Sequence, residues 1–186
     1  HFRIISSAAT RERDKFHINK HLAKDVELKD VTDDYCVFGV FGPKSRALMK
    51  SISKDNFEND NFRFSTAKYI SIDGIKIWAQ RLSYVGELGY ELYVKSKEAK
   101  KIYELLVNKG KDFNLSNCGM HAMDIMRMES GFLHWGHDIS PEENQYQAGL
   151  SFTISNKKDV DFIGKKALEK IRKEKIKSRF AMFTLN

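Results

Sequence analysis

Residues 67–95 read AKYISIDGIKIWAQRLSYVGELGYELYVK and contain three strand-like runs separated by two turns. The first two runs, 67–72 and 75–83, flank Asp73-Gly74, a pair typical of a type I′ hairpin turn because both residues tolerate a positive φ angle. The third run, 90–94, follows a glycine-rich turn. The stretch therefore predicts an antiparallel β region in the middle of the chain.

Strand and helix signals mix along the rest of the chain without a regular βαβ rhythm, so the sequence predicts the α+β class. We expect further strands over residues 2–7, 35–41, 150–154 and 179–185. Apolar periodicity and capping residues predict helices over 11–22, 43–52, 97–109, 120–128 and 164–175. A polar-aromatic loop is expected over 131–147.

The composition is that of an ordinary globular protein, with 41% hydrophobic and 31% charged residues. No apolar run approaches the ~20 residues that a membrane span needs, and the N-terminus lacks the order of a signal peptide. Cys36 and Cys118 are far apart in the sequence and form no CxxC motif. These observations favour a reducing, cytoplasmic location and no membrane partner.

The net charge of +7 comes mainly from residues 156–179, which contain ten Lys/Arg against four Asp/Glu. Nucleic-acid binding would favour aromatic side chains interleaved with these bases, and the segment does not have them. A solvated helix face is the favoured interpretation, so nucleic acid is not an expected partner.

Asp14 is the first candidate catalytic residue. It lies about one turn into the helix predicted after Thr10, where the helix dipole favours an ionised carboxylate. Such a group can accept a hydrogen bond or a proton from a ligand nitrogen. The alternative is a solvated surface aspartate among Arg11, Arg13 and Lys15.

Tyr84 and Glu91 are candidate binding residues. If residues 86–89 form a four-residue hairpin loop, Tyr84 lies opposite Glu91, and opposed residues project to the same face. A carboxylate beside a phenol suits a flat heterocycle with paired N–H donors, such as a reduced pterin. The same alternation places Tyr93 with Glu91, and Tyr90 on the opposite face. An ordinary hairpin with a surface glutamate is the alternative.

The predicted helix 120–128 carries a methionine at every third position, a spacing more typical of core packing than of a ligand site. Arg127 within this apolar helix needs a partner, because burying an unpaired guanidinium is costly. That partner is either Asp124, one turn earlier, or an anionic ligand.

His134, His137 and Asp138 form a cluster of potential metal ligands. No further strong ligand cluster lies beside them in the sequence, so a metal site is not predicted. We expect this segment instead to border a pocket.

Five motifs occur in one order along nearly the whole chain. They are RERD at 11–14, SYVGELGYEL at 83–92, AMDIMRMESG at 122–131, GHDISPEENQYQAGL at 136–150 and DFIGKKAL at 161–168. Together they resemble the folate-binding domain of the glycine cleavage T-protein (aminomethyltransferase) family. That family includes the C-terminal folate domains of dimethylglycine and sarcosine dehydrogenases.

The resemblance implies folate-binding lobes of a cloverleaf fold, with ferredoxin-like mixed sheets and packed helices. It implies that Asp14 is the catalytic acid, that Tyr84 and Glu91 bind the pterin ring, and that Arg127 lines the folate site. The implied cofactor is tetrahydrofolate, which receives a one-carbon unit from an aminomethyl or iminium donor to give 5,10-methylene-tetrahydrofolate.

The GHDISPEE segment is more similar to the dimethylglycine and sarcosine dehydrogenase branch, in which a separate flavin domain generates the iminium. No GxGxxG fingerprint occurs in this chain, so any FAD is expected outside it. The implied partners are a folate and either a lipoyl carrier protein or a flavin domain.

The resemblance further implies a partial folate-binding domain over residues 1–178, followed over 179–186 by the start of a C-terminal barrel. Part of the N-terminal lobe and most of that barrel would lie outside the chain. Two alternatives stay open: a non-catalytic folate- or pterin-binding module, and an RNA-binding or RNA-modifying relative.

Overall fold

The computed structural model describes residues 2–155, 160–174 and 176–184. The chain divides into two compact units. The first unit comprises the residues up to Ser83 together with Glu87–Ser116, and the second comprises Tyr84–Gly86 together with the residues from Asn117 onwards. Among the described residues, none of the helices combines the length and apolar character that crossing a bilayer requires.

The first unit is built on a four-stranded antiparallel sheet with the strand order β1-β4-β3-β2. The strands are β1 Tyr35–Phe41, β2 Ala67–Ile72, β3 Ile75–Gln80 and β4 Gly89–Lys95. Asp73 and Gly74, between β2 and β3, have φ angles of 49° and 75°. Both values are positive, as the predicted type I′ turn requires.

Five α-helices and several short 3₁₀ turns accompany these strands in the described residues. The first unit holds α1 Arg11–His21, α2 Ser45–Ile52 and α3 Ala99–Gly110, and the second holds α4 Met120–Glu129 and α5 Lys165–Lys173. The 3₁₀ turns are Ala8–Thr10, Thr32–Asp34, Ser96–Glu98, Lys111–Phe113 and Ser151–Thr153. The α+β prediction is confirmed.

The core of the first unit lies between one face of the sheet and the helices α2 and α3. Strand residues alternate between the two faces, so every second side chain enters this core, and one stripe of each helix joins them. The fully buried members include Val40, Leu48, Met49, Ile70, Ile72, Ile77, Ala79, Leu92, Val94 and Ile102.

An aromatic cluster extends this core beyond the sheet. The ring of Tyr90 packs edge-on against Phe57 at 5.4 Å and lies 5.6 Å from Phe62. All three rings are buried, but the Tyr90 hydroxyl finds no hydrogen-bond partner among the described residues. A buried hydroxyl without a partner loses its hydration without compensation.

Three predicted strands are absent from the described residues. Residues 2–7 run without strand pairing, and Phe2 and Ile4 are 97% and 67% exposed. Ser151–Thr153 form a 3₁₀ turn, closed by the Thr153 hydroxyl donating to the Leu150 carbonyl oxygen at 2.7 Å. Residues 179–184 have no strand either. The β-branched composition of these segments predicted strands wrongly, because a strand also needs a neighbouring edge to pair with.

Two further expectations need correction. The four-stranded sheet is antiparallel throughout, not mixed. The methionine stripe of α4 is only partly buried, since Met120 is 70% exposed, Met123 and Met126 are half-buried, and Arg127 is the buried residue of this helix. The basic residues of α5 lie on an exposed helix, as the solvated-face interpretation predicts.

Replacing Tyr90 with phenylalanine should stabilise the protein. The change keeps the ring in its aromatic cluster and removes an unsatisfied buried hydroxyl, so we expect the free energy of unfolding to rise by about 1 kcal/mol. Urea unfolding measures this change. Tyr69→Phe, on an exposed side chain, is the matched control and should leave the value unchanged. A destabilised Tyr90→Phe variant would contradict the prediction.

Candidate functional site

A cavity of about 320 Å³ lies in the first unit between residues 3–8, α1, residues 28–32 and β1. Asp14 contributes to its wall, and so do Tyr35 from β1 and Tyr93 from β4. The predicted catalytic residue therefore lies beside a partly open cavity. The Asp14 side chain is 26% exposed.

The Asp14 carboxylate is held by donors from its own helix. The Thr10 hydroxyl donates to Oδ2 at 2.6 Å, and the Arg13 guanidinium donates to Oδ1 at 3.1 and 3.2 Å. The Thr10 hydrogen bond, with smaller contributions from Ser6 and Arg13, holds the pKa of Asp14 below its ordinary value. The group is therefore ionised at neutral pH and accepts hydrogen bonds or protons.

An ion-pair network links α1 to the loop that closes the cavity. Arg11 donates to Asp30 and to Asp33, each at 2.9 Å, and Lys15 Nζ lies 3.7 Å from Asp30. The hydrogen bond from Arg11, followed by those from Thr32, lowers the pKa of Asp30. Sequence analysis missed Asp30, although its Asx turn with the Thr32 amide is a recognisable local signal.

Glu91 lies on β4 between Gly39 of β1 and Gln80 of β3. The predicted hairpin register, with Tyr84 opposite Glu91, is therefore wrong. Strand β3 ends at Gln80, so the connection to β4 is longer than four residues. The predicted alternation is confirmed, because Tyr90 enters the core while Glu91 and Tyr93 project to the other face.

Tyr93 connects Glu91 to the Asp14 cavity. Its ring forms part of the cavity wall, and its hydroxyl donates to Glu91 Oε2 at 2.7 Å. Burial, followed by the hydrogen bond to Glu91 and its negative charge, raises the pKa of Tyr93. The structure thus brings Asp14 and Glu91 into one part of the first unit through a tyrosine that sequence analysis did not select.

Aromatic rings and a guanidinium flank Tyr93 on the same sheet face. The Trp78 ring lies 4.8 Å from the Tyr93 ring. The Arg3 guanidinium lies 4.3 Å from the centre of the Trp78 ring and 5.4 Å from that of Tyr35. These distances are in the range of cation–π contacts.

Arg127 is the centre of a network in the second unit. Its Nε donates at 2.8 Å to Oδ1 of Asp124, one of the two partners that the sequence left open, and its Nη1 donates to the Phe132 carbonyl oxygen at 3.1 Å. Nη1 also donates to Asp138, which accepts the His134 amide at 2.8 Å as well. With its side chain 6% exposed, the guanidinium fixes the loop 132–138 onto α4.

Tyr84 belongs to this second network. Its hydroxyl donates to the Leu133 carbonyl oxygen at 3.0 Å, and its ring stacks on Phe132 at 6.2 Å with an interplanar angle of 14°. Burial raises the pKa of Tyr84. Two of the predicted site residues, Tyr84 and Arg127, therefore meet at the loop 132–138.

The histidines of this loop also lie close to each other. The rings of His134 and His137 are 4.3 Å apart, and His134 Nδ1 lies 3.8 Å from Asp124. In the part of the chain that the structure describes, no group of three or more His, Cys, Asp or Glu side chains could hold a metal ion. Asp138, considered above as a potential ligand, instead pairs with Arg127.

Comparison with known proteins gives consistent matches. The family model described as GCVT N-terminal domain matches residues 1–158. Human mitochondrial dimethylglycine dehydrogenase is 33% identical over 187 residues, which is 99% of this chain and 22% of that protein. An aminomethyltransferase of Anoxybacillus flavithermus is 28% identical over 174 residues, 94% of this chain and 48% of that protein. The chain thus spans about a fifth to a half of these relatives.

A solved structure matches the fold. The glycine cleavage system aminomethyltransferase T from Bartonella henselae aligns with a TM-score of 0.72 and 23% identity, over 89% of this chain and 44% of that one. The fold is therefore shared with that protein. The individual site assignments of Asp14, Tyr84, Glu91 and Arg127 stay predictions.

Thr10→Val should raise the pKa of Asp14 toward the ordinary value of about 3.9. Because the folded-state pKa is lowered, Asp14 stabilises the protein above its unfolded-state pKa, and this contribution is lost as the pH falls through the folded-state value. The variant should therefore unfold in acid at a higher pH than the wild type. Carboxyl ¹³C NMR and acid titration measure both effects, and an unchanged Asp14 titration would contradict this account.

Arg127→Met should destabilise the second unit. It leaves Asp138 without its cation and leaves the Phe132 carbonyl without its donor, so we expect a loss of about 3 kcal/mol in the free energy of unfolding. Urea unfolding measures the loss. Lys166→Met, on an exposed position of α5, removes a similar charge and should change stability by less than ~0.5 kcal/mol. Equal effects of the two changes would argue against the buried network.

Proposed function

The chain belongs to the family described as GCVT N-terminal domain, and on this basis we propose that it binds tetrahydrofolate and promotes one-carbon transfer to it. The proposed folate-binding domain comprises residues 1–178. The observation that carries the proposal is the link between Asp14 and Glu91 in the first unit. Tyr93 lines the cavity that Asp14 also lines and donates to Glu91, so one side chain reaches both the cavity of the candidate base and the candidate pterin acceptor.

Glu91 suits the pterin ring because a carboxylate accepts two parallel N–H donors, and an aminopyrimidinone edge presents such a pair. The side chain is half-buried on the open sheet face, so one end of it meets protein while the other can meet a ligand. Tyr84 offers a flat, half-buried ring that is already held by stacking on Phe132. We propose both residues as pterin contacts.

Arg127 has a more specific role than the sequence suggested. Its donors are engaged by Asp124, Asp138 and the Phe132 carbonyl, and its side chain is almost completely buried. We propose that Arg127 shapes the folate site by fixing the loop that carries Phe132 and His134. A direct charge contact with folate would require one of these partners to be released.

Asp14 is proposed to act as a hydrogen-bond and proton acceptor. In the proposed reaction the folate N5 and then N10 would bond to the donor carbon, giving the 5,10-methylene form. An iminium donor would lose its amine, and a lipoyl-bound aminomethyl donor would lose both ammonia and the carrier thiol, while closure at N10 releases a proton. Asp14 is ionised at neutral pH, so its carboxylate can orient the N10 hydrogen and accept that proton.

The origin of the one-carbon unit is a separate proposal. The two relatives described above are a dimethylglycine dehydrogenase and an aminomethyltransferase. We propose an iminium or aminomethyl carbon as the donor class, supplied by a flavin domain or a lipoyl carrier. The FAD of such a partner would lie outside these 186 residues.

Titration with folinic acid, a stable reduced folate, tests the proposed binding. Calorimetry should show saturable binding by the wild-type chain, and Glu91→Ala should weaken it by ~1–3 kcal/mol because a charge-assisted hydrogen bond is lost. Glu12→Ala, which removes a carboxylate on α1, is the matched control. Absence of binding by the folded chain would contradict the proposal, and equal effects of both variants would contradict the role of Glu91.

Asp14→Asn separates binding from chemistry in the same experiment. Folinic acid binding should stay within about twofold, whereas formation of methylene-tetrahydrofolate should slow by about 10²–10⁴-fold, the range for loss of a general acid or base. Unchanged transfer by Asp14→Asn would favour a non-catalytic role for this residue.

A further inference from the structure

The Glu91 carboxylate has different neighbours on its two sides, on the sheet face opposite the core. Its cross-strand neighbours are Gln80 on one side and Gly39 on the other. Gly39 provides no side chain, and the Phe41 ring of β1 that covers Gly39 carries no donor that could hold the Glu91 carboxylate. A glutamate with three rotatable bonds needs another restraint before its two oxygens can face paired donors in a fixed plane.

Tyr93 provides this restraint from the same strand. Residues two apart on a strand share a face, and the Tyr93 hydroxyl donates to Glu91 Oε2 at 2.7 Å. This hydrogen bond fixes one oxygen of the carboxylate and thereby restricts the plane of the other. Preorganisation of this kind reduces the entropy that ligand binding would otherwise cost.

Tyr93 is itself held in place. The side chain is buried, with 8% of the residue exposed, and its ring packs against Trp78, its directly opposed cross-strand neighbour. The Arg3 guanidinium covers the Trp78 ring. A residue with this support can transmit a fixed orientation to Glu91, which an exposed tyrosine could not.

We propose that Tyr93 is a positioning residue, whose hydroxyl holds the Glu91 carboxylate in the orientation that accepts the N–H edge of a pterin. The inference rests on the proposed folate binding. Tyr93 acts through Glu91 and does not need to contact the ligand. Because burial and the neighbouring Glu91 raise the pKa of Tyr93, its phenol remains a donor throughout the physiological pH range.

A double-mutant cycle tests whether Tyr93 acts through Glu91. In calorimetry with folinic acid, Tyr93→Phe should weaken binding about tenfold, which corresponds to ~1.4 kcal/mol. In the Glu91→Ala background the same change should have no further effect, because its target is gone. Tyr69→Phe, which removes a hydroxyl two strands away on the same face, should leave binding unchanged.

The outcomes separate this inference from the proposed function. No binding by the wild type would overturn both. Wild-type binding with additive losses for Tyr93→Phe and Glu91→Ala would overturn the positioning role alone, since additivity means that Tyr93 acts independently. Wild-type affinity in Tyr93→Phe would also overturn it. Tyr93→Phe keeps an aromatic ring packed against Trp78, so the variant should fold. Urea unfolding checks that its free energy of unfolding is close to that of the wild type.

A spectroscopic measurement tests the same coupling without ligand. In protein labelled with ¹³C at the tyrosine ζ carbon, Glu91→Gln should change the ζ-carbon chemical shift of Tyr93 at neutral pH, because the phenol no longer donates to a carboxylate. The Tyr69 resonance should keep its wild-type position. An unchanged Tyr93 resonance would show that the hydroxyl does not interact with Glu91 in solution and would overturn the inference.

Discussion

The two-residue alternation of β4 is the constraint on which the first unit depends. This strand lies inside the sheet, and both of its edges are hydrogen-bonded, one to β1 and the other to β3. Tyr90, Leu92 and Val94 enter the core against α2 and α3, while Glu91 and Tyr93 point to the opposite face. A slip of one residue would exchange these sets and would bury a carboxylate. The stability of the core therefore fixes the orientation of the candidate site.

Ion pairs define the surroundings of the other candidate residues in each unit. In the first unit, Arg11 ties the segment around Asp30 to α1, the helix that carries Asp14. In the second, Arg127 ties the loop that contains Asp138 to α4. Both arginines use several donors of one planar guanidinium, which a lysine could not replace with the same geometry. Arg127, which the sequence offered as a possible ligand contact, thus serves first to hold a loop in place.

These arrangements bear on how the family chemistry would operate in this chain. A carboxylate that is ionised at neutral pH can accept a proton and has none to donate, so Asp14 fits an orienting and accepting role. A glutamate held by a buried tyrosine fits recognition of a planar N–H edge. Much of the candidate site thus consists of residues that position other residues. The orientation of the candidate binding and catalytic groups depends on them.

Local sequence patterns were enough to predict all four strands of the sheet, the type I′ turn, the helices, and the sharing of a face by Glu91 and Tyr93. Each depends on residues a few positions apart, whose geometry the regular period of a strand or helix dictates. The ordered motifs of the sequence also indicated the family. The folded chain was needed to show that Gln80, not Tyr84, lies opposite Glu91, that residues 2–7 form no strand, and that Arg127 pairs with Asp124 and Asp138. Register, edge pairing and ion pairs across loops depend on which distant segments meet, and local patterns do not contain that information.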